Sequence, residues 1–399
     1  MQAASAASPQ ACLTVPPGHG PPRQQPKAMR AAACQGLNRR GACSAGYRAH
    51  AVRRMYRDVP CCTAEDKADS IDAAPKTEQQ VANARKWRAT LSSKGSDTQS
   101  LASGLSLLDA ALKVDNEGEA VALARSLKAT NTLEGFGSGT LVPKRLYTYE
   151  ELLLNKVNPE AFLNPDDATL EGVRSKLRLA FLTVFGGTAY LLDLDVGQML
   201  GGVVLTLGVL TADQIGYGGG GWSLLVDTVG RATESTYRER VSKHEAGHFL
   251  TAYLLGVLPK SYTLSSLDAF NTYRQLNIQA GTIFCDKEFQ DEIRTGKLSS
   301  GLLDKFCCIA LAGIAAETLC YPKAEGGRTD VIQLDLLLRA LGFEQSKATG
   351  QVRWAVLATV SLLRRYRPAH LKLAKAMEEG CSVGGCIEVI EAELKNAQW

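Results

Sequence analysis

His244 and His248 stand four residues apart, with Glu245 beside the first, in the segment His244-Glu245-Ala246-Gly247-His248. On a helix, positions four apart share one face and lie about one turn from each other, so both imidazoles can reach a single metal ion. Zinc suits the pair: it takes nitrogen ligands, has no redox chemistry of its own, and lowers the pKa of a bound water toward neutrality. Glu245 is turned just enough to take that water's proton. Of the chain's five histidines, His19 and His50 fall in the first 50 residues, so two of the remaining three share this motif. The competing reading is an ordinary helix carrying two satisfied histidines. A catalytic zinc usually has three protein ligands and leaves its fourth position to water. His370 follows Pro368 at the start of a helix near the C-terminus and is a poor third ligand, which leaves the carboxylates of Glu317, Asp330 and Asp335. Glu317 sits in the apolar stretch LAGIAAETL, where it can be a ligand, a buttress or a charge at a helix end. Asp330 sits in a Gly-rich turn entering a helix, where capping is its competing role.

The motif needs a scaffold, and the sequence predicts a mainly α one. Residues 236–256 form an amphipathic helix opened by a Thr236/Glu239 capping box and closed by Gly256, with Pro259 beyond. Residues 262–267 and 276–284 read as short strands that pair beside it and offer an edge to an extended peptide. Residues 305–319 read as one apolar helix, with Cys307, Cys308 and Cys320 as packing residues in preference to soft ligands. Helices over 331–341, 351–366, 369–379 and 387–397 follow, punctuated by Gly342, Pro368 and Gly380. Trp354, Leu357, Val360 and Leu363 are core positions. Upstream, residues 100–113 and 116–129 have the spacing of a helical hairpin, and Thr148 with Glu151 makes a capping box. The loop at Gly135, Gly137 and Gly139 lacks the Lys-Ser/Thr that a phosphate cradle needs.

Composition changes sharply at residue 177. Residues 177–192 and 196–212 are two nearly continuous apolar runs separated by Asp193 and Asp195, each at the lower edge of the length that crosses a bilayer's hydrocarbon core. Arg174, Lys176 and Arg178 precede the pair, Arg231, Arg238, Arg240 and Lys243 follow it, and the turn between is acidic. That pattern predicts a membrane hairpin with both ends on the basic, stromal or matrix side; the alternative is a pair of buried core helices. Glycines 218–221 act as a hinge after it.

The first 57 residues hold nine Lys/Arg and no Asp or Glu, are rich in Ala, Gln and Pro, and lack a continuous apolar stretch. They read as an organelle transit peptide cleaved between residues 40 and 62, against the alternative of a disordered basic tail. Removing those nine from the 45 Lys+Arg of the whole chain leaves 36 against 41 Asp+Glu. Without a basic surplus to neutralise phosphates, no nucleic-acid partner is expected. Eleven cysteines with no C-x-x-C spacing read as reduced thiols. Residues 63–100 are polar, with helical spacing around Val81, Ala84 and Trp87.

HEAGH, followed by LAG-x-AAE and then by a Gly-rich turn with Asp before a helix, resembles the peptidase domain of the FtsH family of AAA zinc metalloproteases. The resemblance covers about residues 236–399. It implies zinc held by His244, His248 and Asp330, Glu245 as catalytic base, and Glu317 in a supporting role. No G-x-x-x-x-G-K-[ST] occurs, and residues 260–289 lack the P-R-G element that follows the zinc helix in the family. The chain therefore looks like the plastid members without an AAA module, found in plants and green algae. The expectation is a transit peptide and linker over 1–60, a helical region over 61–170, the apolar hairpin over 171–230 and a zinc peptidase domain over 231–399. The implied activity is a chloroplast, membrane-associated zinc metalloendopeptidase acting on polypeptides, ATP-dependent only through a separate AAA ATPase partner. The alternative is an inactive scaffold partnering with such an ATPase.

Overall fold

A computed structural model describes residues 97–165, 167–274, 276, 280–295 and 298–396. The expected transit peptide, its expected cleavage window and the helical spacing around residues 81–87 lie outside the described residues. What is described is mainly helical, as its sequence periodicity requires. In chain order the helices are α1 (Asp97–Lys113), α2 (Glu117–Ala129), α3 (Tyr149–Leu154), α4 (Pro159–Leu163), α5 (Ala168–Leu191), α6 (Val196–Tyr217), α7 (Gly220–Thr233) and α8 (Ser235–Leu254). After strand β1 (Pro259–Thr263) come α9 (Ser266–Tyr273), β2 (Gly281–Phe284), α10 (Lys287–Thr295), α11 (Ser300–Ala310) and α12 (Ala312–Cys320). The chain continues through α13 (Arg328–Ala340), α14 (Gln345–Arg365), α15 (Arg367–Glu378) and α16 (Val383–Asn396).

Helix α8 is the axis of the fold. From His244 to Leu254 every residue is buried, with α12 and α15 as its main neighbours. Gly247 makes the α12 crossing possible: a Cβ there would lie 2.7 Å from both the Ala312 carbonyl oxygen and the Ala316 methyl. The helix starts at Ser235, with Glu234 as its N-cap, so Thr236 lies inside it and the predicted Thr236/Glu239 capping box is absent. Glu239 instead pairs with Lys243 one turn along, and the Tyr237 hydroxyl donates to Asp227 of α7 at 2.7 Å. The far end is closed by the glycine loop. Gly137 and Gly139 donate their N–H groups to the carbonyls of Tyr253 and Leu254, at 3.0 and 2.8 Å. Buried Glu391 of α16 accepts from the N–H groups of Glu134 and Gly135 and from the Tyr253 hydroxyl. The glycine loop thus satisfies carbonyls that a helix end leaves without intrahelical partners.

The remaining expectations hold in outline with two corrections. The Thr148/Glu151 capping box opens α3, and Trp354, Leu357, Val360 and Leu363 are all buried. β1 and β2 pair antiparallel, Tyr262 opposite Thr282, but β1 runs from Pro259 and ends at Thr263 because Ser265 accepts the Asp268 N–H and caps α9, and β2 covers only Gly281–Phe284 of the expected 276–284. The predicted helix over 305–319 is two helices that meet at Leu311.

The two apolar runs form α5 and α6, joined by a turn whose Asp195 makes a capping box with Gln198. α6 buries none of its 22 residues, and large side chains on α5 such as Leu179, Leu182, Val184 and Leu191 are exposed as well. By length and composition, α6 is the one helix among the described residues able to cross a membrane. Asp213, near the end of α6, accepts from the N–H groups of Gly221 and Trp222 and so starts α7, which returns the chain to the body.

Candidate metal centre

Three side chains from two elements converge. His244 and His248 project from one face of α8, and Asp330 comes from the first turn of α13. His244 Nε2 lies 3.1 Å from His248 Nε2 and 3.2 Å from Asp330 Oδ2, and His248 Nε2 lies 3.4 Å from that same oxygen. Metal–ligand bonds of about 2.0–2.2 Å at tetrahedral angles separate the donor atoms by roughly 3.3 Å. The trio matches that spacing, and it can hold a metal ion.

The other ring nitrogens are already committed. His248 Nδ1 donates to the Ile309 carbonyl at 2.7 Å, and His244 Nδ1 to Glu317 Oε1 at 2.9 Å. Such bonds put the ring proton on Nδ1 and leave the Nε2 lone pairs pointing at one another and at a carboxylate oxygen, an arrangement that a cation relieves. The local field favours positive charge. Burial pulls the His244 imidazole down, but Asp330 and Glu317 overcome it and hold the pKa well above the ordinary value. Burial likewise opposes ionisation of Asp330, yet the two imidazoles keep it below the ordinary carboxylate range.

Glu317, one of the three carboxylates open on sequence grounds, is a buttress to His244. Besides His244 it accepts from the N–H groups of Glu325 and Gly326 at 2.9 and 3.1 Å, and it pairs with Arg240 at 3.2 Å. Arg240 also pairs with Glu325 at 3.3 Å and stacks over Tyr321. Asp335 points elsewhere, to Arg339 at 2.7 Å on the exposed face of α13. His370 lies behind the site: its Nε2 donates to the Lys243 carbonyl at 2.8 Å, and burial pushes its pKa down to about 4.

Glu245 is 5% exposed, and burial raises its pKa above the usual carboxylate value. It opens, with both histidines, onto a cavity of about 1320 Å³ walled by β2, by Phe289 and Phe306, and by the first turns of α5. Among the described residues β2 is paired on one side only, by β1. Sequence reasoning misses several contributors. Gly313 lies so close to His244 that a Cβ there would overlap the imidazole. The Ile309 carbonyl, Arg240 and Thr282 reach the site only through the packing of α8, α11, α12 and β2. Gly313 alone carries a sequence signal, as the glycine of the LAG segment.

No family model, curated protein or solved structure matches the chain.

Proposed function

We propose that this protein is a zinc metalloendopeptidase. The observation that carries the reading is the convergence of His244 Nε2, His248 Nε2 and Asp330 Oδ2 beside the buried carboxylate of Glu245, at the wall of a cavity large enough for a peptide. An N₂O donor set with one position left open is the pattern of catalytic rather than structural zinc, which favours thiolates and closure. Zinc, when bound, supplies a Lewis acid that polarises a carbonyl and makes water acidic near neutral pH. Glu245 takes the proton of the attacking water and delivers it to the leaving amine. Its raised pKa suits it to both transfers. Glu317 and the Ile309 carbonyl hold the two rings in orientation, and Arg240 keeps Glu317 in place.

In this reading the apolar hairpin of α5 and α6 holds the domain at a membrane. Its apolar surface, the basic residues at its roots and the acid-free Arg-rich leader support a chloroplast membrane, with the peptidase on the stromal side. With no phosphate-cradling loop in the chain, any ATP dependence comes from a separate AAA ATPase. The substrate is an unfolded or extended polypeptide.

The test is Glu245→Gln, which preserves volume and the metal donors. The variant should bind zinc stoichiometrically and lose hydrolysis of an unfolded protein by a factor of roughly 10² or more. Chelation should silence the wild type and zinc should restore it. Zinc-loaded wild type that cleaves nothing, with or without a membrane AAA partner, would turn the reading to an inactive scaffold.

A further inference from the structure

The HEAGH motif fixes where Glu245 starts, not where its carboxylate ends. The Thr282 hydroxyl of β2 donates to Glu245 Oε2 at 2.9 Å, and both side chains are buried, 4% and 5% exposed. The strand that brings Thr282 there is itself anchored. Its cross-strand neighbour Tyr262 donates through its hydroxyl to the Cys381 carbonyl, and the Cys285 N–H just past β2 donates to the Leu258 carbonyl at 2.9 Å. The threonine is therefore presented from a strand tied to the helical body.

A glutamate has several side-chain rotamers, and a general base works only within hydrogen-bond reach of the proton it takes. An error of about 1 Å in such a group can cost on the order of 10²-fold in rate. We propose that Thr282 is a positioning residue: its hydroxyl holds one oxygen of Glu245 so that the other faces the attacking water. The inference rests on the metallopeptidase reading for its kinetic consequence, though the orientation it assigns to Glu245 is independent of turnover. The bond also links β2, the wall along which an extended peptide can lie, to the base that acts on it. Seating the substrate and aligning the base then depend on one strand.

Thr282→Val removes the hydroxyl at nearly constant shape, and Thr282→Ser keeps it. In the full zinc-loaded chain, Thr282→Val should bind one zinc and keep KM, while kcat falls by roughly 10- to 100-fold. Thr282→Ser should keep kcat to within about threefold, since its hydroxyl can make the same bond. A crystal structure of zinc-loaded Thr282→Val should show the Glu245 carboxylate in a different rotamer from wild type. Wild-type kcat in Thr282→Val, equal impairment in the Ser and Val variants, or an unmoved Glu245 carboxylate would each overturn the proposal. Wild type without activity would sink the peptidase reading, and the rotamer in Thr282→Val would still decide this one.

Discussion

Helices α8 and α6 are nearly equal in length, 20 and 22 residues, and they invert the usual relation between polarity and burial. α8 carries two histidines, a glutamate and a run of charged residues, yet its second half is wholly buried. α6 is far more apolar, yet none of it is buried. Burying polar groups is tolerable where they find partners, and His244, Glu245 and His248 of α8 find theirs in Glu317, the Ile309 carbonyl, Thr282 and Asp330. Leaving a contiguous apolar surface uncovered in water is unfavourable, and α6 has apolar side chains around its whole circumference, where an amphipathic helix would show one stripe. At 1.5 Å per residue, 22 residues span about 33 Å, the order of a bilayer's hydrocarbon core. One helix brings its solvent with it as tertiary contacts. The other has no such cover among the described residues.

The contrast breaks most sharply at the metal donors. Replacing His244 or His248 by Ala should abolish stoichiometric zinc binding, and Asp330→Ala should weaken it strongly, as read by elemental analysis after dialysis. Gly313→Ala, which replaces none of the three donor residues, should mimic the histidine variants because its methyl would lie 2.2 Å from His244 Nε2 and displace the ring. Full zinc occupancy in Asp330→Ala at unchanged affinity would put the third donor elsewhere.

The other side of the comparison is sharpened by placing charge on α6. Leu205→Arg with Val209→Arg puts two charges on consecutive turns at exposed apolar positions. Each should cost about 2.5–3.5 kcal/mol in the hydrocarbon core. The double variant should move from the membrane pellet to the supernatant in flotation and carbonate extraction, with zinc content unchanged. Retention in the membrane at wild-type level would mean that α6 is covered by protein instead.

The smallest effect concerns pH and the back of α8. His370 is buried and neutral, with its pKa lowered to about 4 from an ordinary 6.5. Above pH 6.5 neither folded nor unfolded protein protonates it, and its contribution to stability is complete. As pH falls from about 6.5 toward 4, the unfolded chain takes up the proton first, so stability declines by roughly 3 kcal/mol at most. Denaturant titrations at pH 7 and pH 4.5 should show this loss in wild type and a shallower one in His370→Gln. Identical pH slopes would mean that His370 titrates normally in the fold.

What the sequence alone determined is what depends on short spacing. The 3.6-residue period puts His244 and His248 on one face, the apolar runs at 177–192 and 196–212 predict α5 and α6, and the Thr148/Glu151 box predicts the start of α3. These features follow from neighbours within a few residues, which every copy of the segment shares. The choice among Glu317, Asp330 and Asp335 was open by composition, because all three lie on or beside helices downstream of the motif. Only the packing of α12 and α13 on α8 decided it: Asp330 comes within 3.4 Å of both Nε2 atoms, Glu317 takes Nδ1 of His244, and Asp335 faces away to Arg339. The same holds for Thr282 on Glu245, Gly313 under the His244 ring and the glycine loop at the end of α8. Their partners lie tens to more than a hundred residues away, and no local periodicity encodes which of several chemically suitable side chains the folded chain brings into contact.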